Sequence, residues 1–185
     1  SDVCSSDLGN FDAFGVDCNT SPGQPNQIYR NDDGALTLAW TAPLADHTRS
    51  VAWGDYDGDG DLDLYEVNHV WCFPTTNVYT RLKNDDHLWR NDGDHFTEVT
   101  AQLPDDDGQI SGRHGFAAIW FDLDRDADQD LWVVNDLAPQ GGRNVLFRND
   151  GSDGEGGFTF VDVTTELAAA PNPDLMGKGT NARSE

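Results

Sequence analysis

One phrase recurs three times along the chain, and that recurrence limits the fold more than any single residue does. Asn26-Gln27-Ile28-Tyr29-Arg30-Asn31-Asp32-Asp33-Gly34 returns as His87-Leu88-Trp89-Arg90-Asn91-Asp92-Gly93 and again as Asn144-Val145-Leu146-Phe147-Arg148-Asn149-Asp150-Gly151. The three arginines lie 60 and then 58 residues apart, a period that belongs to repeat architectures. In each copy an apolar and aromatic stretch meets an Asn-Asp-Gly type of turn. Such turns tolerate positive φ, so the pattern predicts strand, tight turn, strand. The returning strands match too: Phe96-Thr97-Glu98-Val99-Thr100 parallels Phe160-Val161-Asp162-Val163-Thr164, and residues 36–41 form a looser first copy.

A second unit precedes two of these hairpins. Ser50-Val51-Ala52-Trp53-Gly54 leads into an aspartate-rich loop and then Leu64-Tyr65-Glu66-Val67-Asn68. Phe116-Ala117-Ala118-Ile119-Trp120-Phe121 does the same before Leu131-Trp132-Val133-Val134-Asn135. Aromatic and β-branched residues on either side of a loop favour strands, which makes four short strands per period of about 60 residues. The expected fold is all-β: a partial β-propeller of about 2.5 four-stranded blades, with no long amphipathic helix. Residues 9–49 form a partial blade, 50–111 and 112–168 each a blade with an aspartate loop, and 169–182 the start of another. Residues 1–8 and 183–185 read like translated sequencing adapter and are set aside from fold reasoning, so the chain is expected to be a fragment.

The strongest chemical signal is Asp55-Tyr56-Asp57-Gly58-Asp59-Gly60-Asp61-Leu62-Asp63. Carboxylates at loop positions 1, 3, 5 and 9 can converge when the backbone curls, and Gly60 at position 6 permits the sharp turn. Asp61, at position 7, would offer its backbone carbonyl. Hard oxygen donors with no His or Cys favour Ca²⁺ over Zn²⁺ or Mg²⁺. The second loop, Asp122-Leu123-Asp124-Arg125-Asp126-Ala127-Asp128-Gln129-Asp130, keeps all four acids but places Ala127 where the turn glycine belongs and adds the positive Arg125. It is expected to bind more weakly. A partial earlier loop retains only Asp12. Residues 55–66 also satisfy the EF-hand pattern D-x-D-x-D-G-x5-E, but an EF-hand needs flanking helices, and these flanks favour strands.

Composition bears on partners. A net charge of -23 makes nucleic acid an unsuitable partner. With 37% hydrophobic and 10% aromatic residues, and acids in short repeated clusters, the charge points to bound cations rather than disorder. No apolar run approaches the ~20 residues that cross a bilayer, so membrane insertion is not expected.

These motifs resemble the FG-GAP/VCBS repeat family of integrin α-chain head domains and secreted bacterial proteins, especially its cartilage-acidic-protein-like members. The likeness rests on the 53–64 segment from Trp53 to Leu64, on Leu88-Trp89-Arg90-Asn91-Asp92-Gly93, and on Phe96-Thr97-Glu98-Val99-Thr100. The resemblance implies a propeller with calcium in the loop joining the first two strands of each metal-bearing blade. The ligands would be Asp55, Asp57, Asp59, Asp63 and the Asp61 carbonyl, then Asp122, Asp124, Asp126, Asp130 and the Asp128 carbonyl. It also implies an extracellular or secreted module that binds a protein or glycan ligand in adhesion or recognition.

The main rival is the propeller domain of a secreted lyase or hydrolase whose active site lies outside this fragment. None of His47, His69, His87, His95 and His114 sits in a recognisable catalytic arrangement, so no enzyme is expected here; His69 and His114 lie nearest the loops. Arg30, Arg90 and Arg148 would either anchor a loop carboxylate or remain strand-edge charges. The spacing of Trp53, Trp89, Trp120 and Trp132 says blade core rather than a sugar-stacking platform, while Trp40 and Trp71 are less well placed. Cys18 and Cys72 occupy similar places in consecutive repeats, leaving either a disulfide between repeats or two free thiols.

Overall fold

The computed structural model describes residues 3–6, 24–46, 48–69, 85–104, 115–135 and 143–168. Its strands are β1 (Val3–Ser6), β2 (Gln24–Asp32), β3 (Ala35–Asp46), β4 (Thr48–Gly54), β5 (Asp63–Asn68), β6 (His87–Asn91), β7 (Phe96–Glu98), β8 (Gly115–Phe121), β9 (Asp130–Asn135), β10 (Val145–Ser152) and β11 (Phe158–Asp162). A 3-10 turn (Thr100–Gln102) and a five-residue helix α1 (Thr164–Ala168) complete the order. Three antiparallel sheets result: β1-β2-β3, then β4-β5-β6-β7, then β8-β9-β10-β11. The second and third are four-stranded meanders in matching order, two blades of a partial β-propeller. Among the described residues the sheets do not close into a ring.

Alternation along the strands decides what each blade buries. In the middle blade, Leu64 and Trp89 face the first sheet and cluster with Ile28, Trp40, Val51, Trp53 and Phe96. Their strand neighbours Tyr65, Val67 and Leu88 face the third sheet and meet Leu131, Val133, Val145 and Phe147. Covered on both sides, β5 is buried at every residue. The third blade has a neighbour on one face alone among the described residues: Ile119 stays 51% exposed and Trp132 38%. Trp132 therefore departs from the blade-core expectation, because nothing described packs over its side of the sheet. Trp40, poorly placed by the pattern, proves to be core, with its ring 5.2 Å from Trp89 and 4.9 Å from Phe96.

The middle and third blades approach closely where glycine allows it. A Cβ on Gly54 would stand 2.5 Å from Trp120 Cγ, and one on Gly115 would stand 2.4 Å from Val67 Cγ1. The Trp120 indole N–H reaches the Ala52 carbonyl at 3.3 Å across this seam. On the other side, buried polar groups join the aromatic cluster in holding the first sheet to the middle blade. Asn26 donates to Glu66 and Thr48, Trp89 Nε1 donates to Glu66 Oε2 at 2.8 Å, and His87 bridges Asp46 and Glu98 at 3.2 and 2.9 Å.

Two expectations about element ends change. The returning strands stop at Glu98 and Asp162 rather than running to Thr100 and Thr164. The reason repeats in both blades: the Thr100 and Thr164 hydroxyls accept the Leu88 and Leu146 N–H groups, each at 2.9 Å, and so take the place of a backbone partner. Residues 1–8, set aside as adapter-like, contribute β1, which pairs with β2 in the register Val3↔Arg30. An open strand edge offers unpaired N–H and C=O groups to any extended segment. Cys18, Cys72, Trp71, His47, His114 and Asp12 lie outside the described residues, as do 169–182 and 183–185.

Candidate metal centre

Both aspartate loops join the first two strands of a blade, residues 55–63 between β4 and β5 and residues 122–130 between β8 and β9. Strands flank each loop, so the EF-hand arrangement is absent here, and Glu66 lies in the seam with the first sheet rather than at the loop. The curl comes from two left-handed residues per loop: Gly58 (φ 72°) and Gly60 (φ 94°) in the first, Arg125 (φ 71°) and Ala127 (φ 80°) in the second. The demand at position 6 was legible from Gly60. Gly58 signals the same demand at position 4, which Arg125 meets in the second loop beyond its effect on charge.

The curl gathers three carboxylates in each loop. Oxygens of Asp55, Asp57 and Asp63 lie within 4.8 Å of one another, and so do those of Asp122, Asp124 and Asp130. Asp59 and Asp126 stand outside these groups, accepting the N–H of Asp61 at 2.8 Å and of Asp128 at 3.0 Å. The Asp61 and Asp128 side chains turn toward the hairpin glycines Gly93 and Gly151.

Position 9 anchors each loop. Asp63 is fully buried and accepts the N–H groups of Tyr56 at 3.1 Å and Asn91 at 2.9 Å. Asp130 accepts those of Leu123 at 2.5 Å and Asn149 at 2.8 Å. Each aspartate thus ties its loop to the third strand of the blade. Burial, reinforced by the charges of Asp57 and Asp59, pushes the Asp63 carboxyl up to about 7 even though both N–H bonds favour its ionised form. Burial and its neighbours raise Asp57 and Asp130 as well. Carboxylates crowded in this way disfavour one another's ionised form.

A cation fits the first loop on a separate observation: Asp55 Oδ1 is buried with no hydrogen-bond partner. Asp55 Oδ2 and Asp57 Oδ1 accept the N–H groups of Gly60 and Asp59, both at 3.2 Å, and the second loop adds a nearby cation to such bonds. Asp122 Oδ1 accepts the Arg125 N–H at 2.6 Å, and Arg148 Nε stands 3.9 Å from Asp124 Oδ2. Both groups can hold a metal ion, and the first is the better prepared.

The hairpins carry their own repeated device. Arg30, Arg90 and Arg148 pair mainly with the aspartate two residues on, at 2.7, 2.8 and 2.6 Å, and the intervening asparagine accepts the turn glycine's N–H. The arginines are therefore chiefly clasps of their own turns. Aspartate loop, strand, Arg-Asn-Asp hairpin and strand make up one recurring unit, and residues 9–66, which include the first hairpin and the first complete loop, match the FG-GAP-like repeat. Residues 9–66 carry an FG-GAP-like repeat. The second aspartate loop lies beyond the matched FG-GAP residues and is tied to the family through the internal repeat. No curated protein matches the chain significantly. Among the described residues, no helix is long and apolar enough to cross a membrane.

Of the five histidines, His69 and His87 are buried ties between sheets. His69 Nδ1 lies 3.0 Å from the Gly115 carbonyl of the next blade. Burial pulls the His87 imidazole down, but hydrogen bonds to Asp46 and Glu98 and the charges of Asp46 and Glu66 outweigh it, holding His87 at about 9. His95 is exposed and pairs with Asp94 at 2.5 Å.

Proposed function

We propose that the chain is a calcium-binding FG-GAP/VCBS propeller module, not an enzyme, whose ions shape the blades of an extracellular or secreted protein for adhesion or for recognition of a protein or glycan. The observation that carries this reading is the three-carboxylate cluster of the first loop, with its buried and unpartnered Asp55 oxygen, repeated at the matching place of the next blade. Asp55, Asp57 and Asp63 would hold one ion, and Asp122, Asp124 and Asp130 the other. Oxygen donors alone, on a loop that imposes no rigid octahedron, favour Ca²⁺. When bound, the ion supplies positive charge to carboxylates that otherwise repel one another. The role is structural because the loop sits between two core strands and its fixed groups serve folding.

Extracellular sites of this kind hold calcium with Kd about 10⁻⁴–10⁻³ M. At 100 times Kd, each site adds about 2.7 kcal/mol to stability. Calcium titration by calorimetry, followed by thermal unfolding, is expected to show uptake at both loops, tighter at the first, and a rise in Tm that magnesium reproduces weakly. No uptake at millimolar calcium would overturn the proposal.

A further inference from the structure

The two loops belong to different blades, yet one side chain touches both. Asn149 lies on β10 of the third blade, fully buried. Its backbone N–H holds Asp130 Oδ1, the buried anchor of the second loop, at 2.8 Å. Its Nδ2 donates at 2.8 Å to the carbonyl of Tyr56, the second residue of the first loop, and at 3.4 Å to the carbonyl of Gln129. The Tyr56 peptide is in turn held from its other side, since its N–H donates to Asp63 Oδ2. Asp63, Tyr56, Asn149 and Asp130 therefore form one hydrogen-bonded chain from the first carboxylate cluster to the second. The Tyr56 ring keeps that chain in register: it is buried in the seam between the blades, stacked on Trp120 at 6.0 Å and packed edge-on against Phe158 at 5.3 Å.

We propose that Asn149 is a positioning residue that couples the two ion sites, so that filling the first loop raises the affinity of the second. The coupling rests on the ion-binding reading above. An ion on Asp55, Asp57 and Asp63 fixes the Tyr56 peptide, and a fixed Tyr56 carbonyl holds the Asn149 amide and, through its backbone, Asp130. The second loop also has left-handed Arg125 and Ala127 to hold in place. Linkage makes the effect reciprocal, and contacts of this kind are worth about tenfold in affinity.

The test is a calcium titration of the full chain followed by NMR, with the Gly60 amide reporting the first loop and the Ala127 amide the second. Asp57→Asn removes a carboxylate from the first loop, where Asp57 accepts the Asp59 N–H of the same loop. It is expected to weaken binding at the second loop about tenfold, and Asp124→Asn should weaken the first by the same factor. In an Asn149→Ala background the loops should bind independently. Titrations at low and high salt separate this from charge acting through solvent, which salt screens. Coupling that vanishes at high salt, or that survives Asn149→Ala, overturns the role of Asn149. Unchanged affinity of each loop when the other is disabled overturns the coupling and leaves the ion-binding reading intact. No shift at either amide at millimolar calcium overturns that reading itself.

Discussion

Ala127 and Arg125 hold left-handed backbone at φ 80° and 71°, where the first loop uses Gly60 and Gly58. A side chain in that region costs about 1–2 kcal/mol, partly offset by the greater freedom glycine has in the unfolded chain. Ala127→Gly is therefore expected to stabilise the chain by about 0.5–1 kcal/mol in urea unfolding and to tighten calcium binding at the second loop. The mirror change isolates the cause. A Cβ on Gly60 meets nothing within 4 Å, so Gly60→Ala should destabilise through backbone conformation alone. Equal effects from the two changes in the same direction would contradict this account.

At the scale of elements, the seam between the middle and third blades depends on how closely β4 and β8 approach. Gly54 ends β4 with Trp120 Cγ and Gln129 Oε1 at 2.5 and 2.6 Å from the place a Cβ would take. Trp120 is also fixed by its bond to Ala52 and its stacking on Tyr56, so it has little room to yield. Overpacking of this kind typically costs 1–3 kcal/mol. Gly54→Ala is expected to lower stability by about 2 kcal/mol, with matching loss of hydrogen-exchange protection in β4 and β8. A neutral result would mean that the blades slide apart without penalty. Phe121 takes the corresponding place at the end of β8, where no described blade packs over it.

The molecule as a whole has two unlike seams. Glu66 and His87 pair across β5 and β6 where Val133 and Val145 pair across β9 and β10. The first sheet thus meets the middle blade through buried polar groups beside an aromatic cluster, while the matching pair of the third blade, Val133 and Val145, joins the apolar core between the middle and third blades. This difference makes one seam sensitive to pH. His87 is raised from 6.5 to about 9 in the folded chain, so the folded state favours its protonated form. That contribution is complete below pH about 6.5 and is lost as pH rises through about 9. A shift of this size corresponds to on the order of 3 kcal/mol. Urea unfolding across pH 6–10 should show a decline of roughly that size, and His87→Gln should flatten it. An identical slope in the variant would assign the decline to other groups.

The repeat, its strands and its two aspartate loops were legible in the sequence because each is written locally. Asn-Asp-Gly turns, alternating apolar residues and clustered carboxylates act over a few positions, and the copies confirm one another. Asp63 and Asp130 could be placed in their loops by spacing, yet their burial and their bonds to Asn91 and Asn149 depend on a strand that arrives later in the chain. The Tyr56 ring in the seam, the reach of Asn149 across it and the buried clasp around His87 depend on which face of one sheet meets which face of another. Those choices are made by packing between segments up to 93 residues apart, and no local pattern carries them.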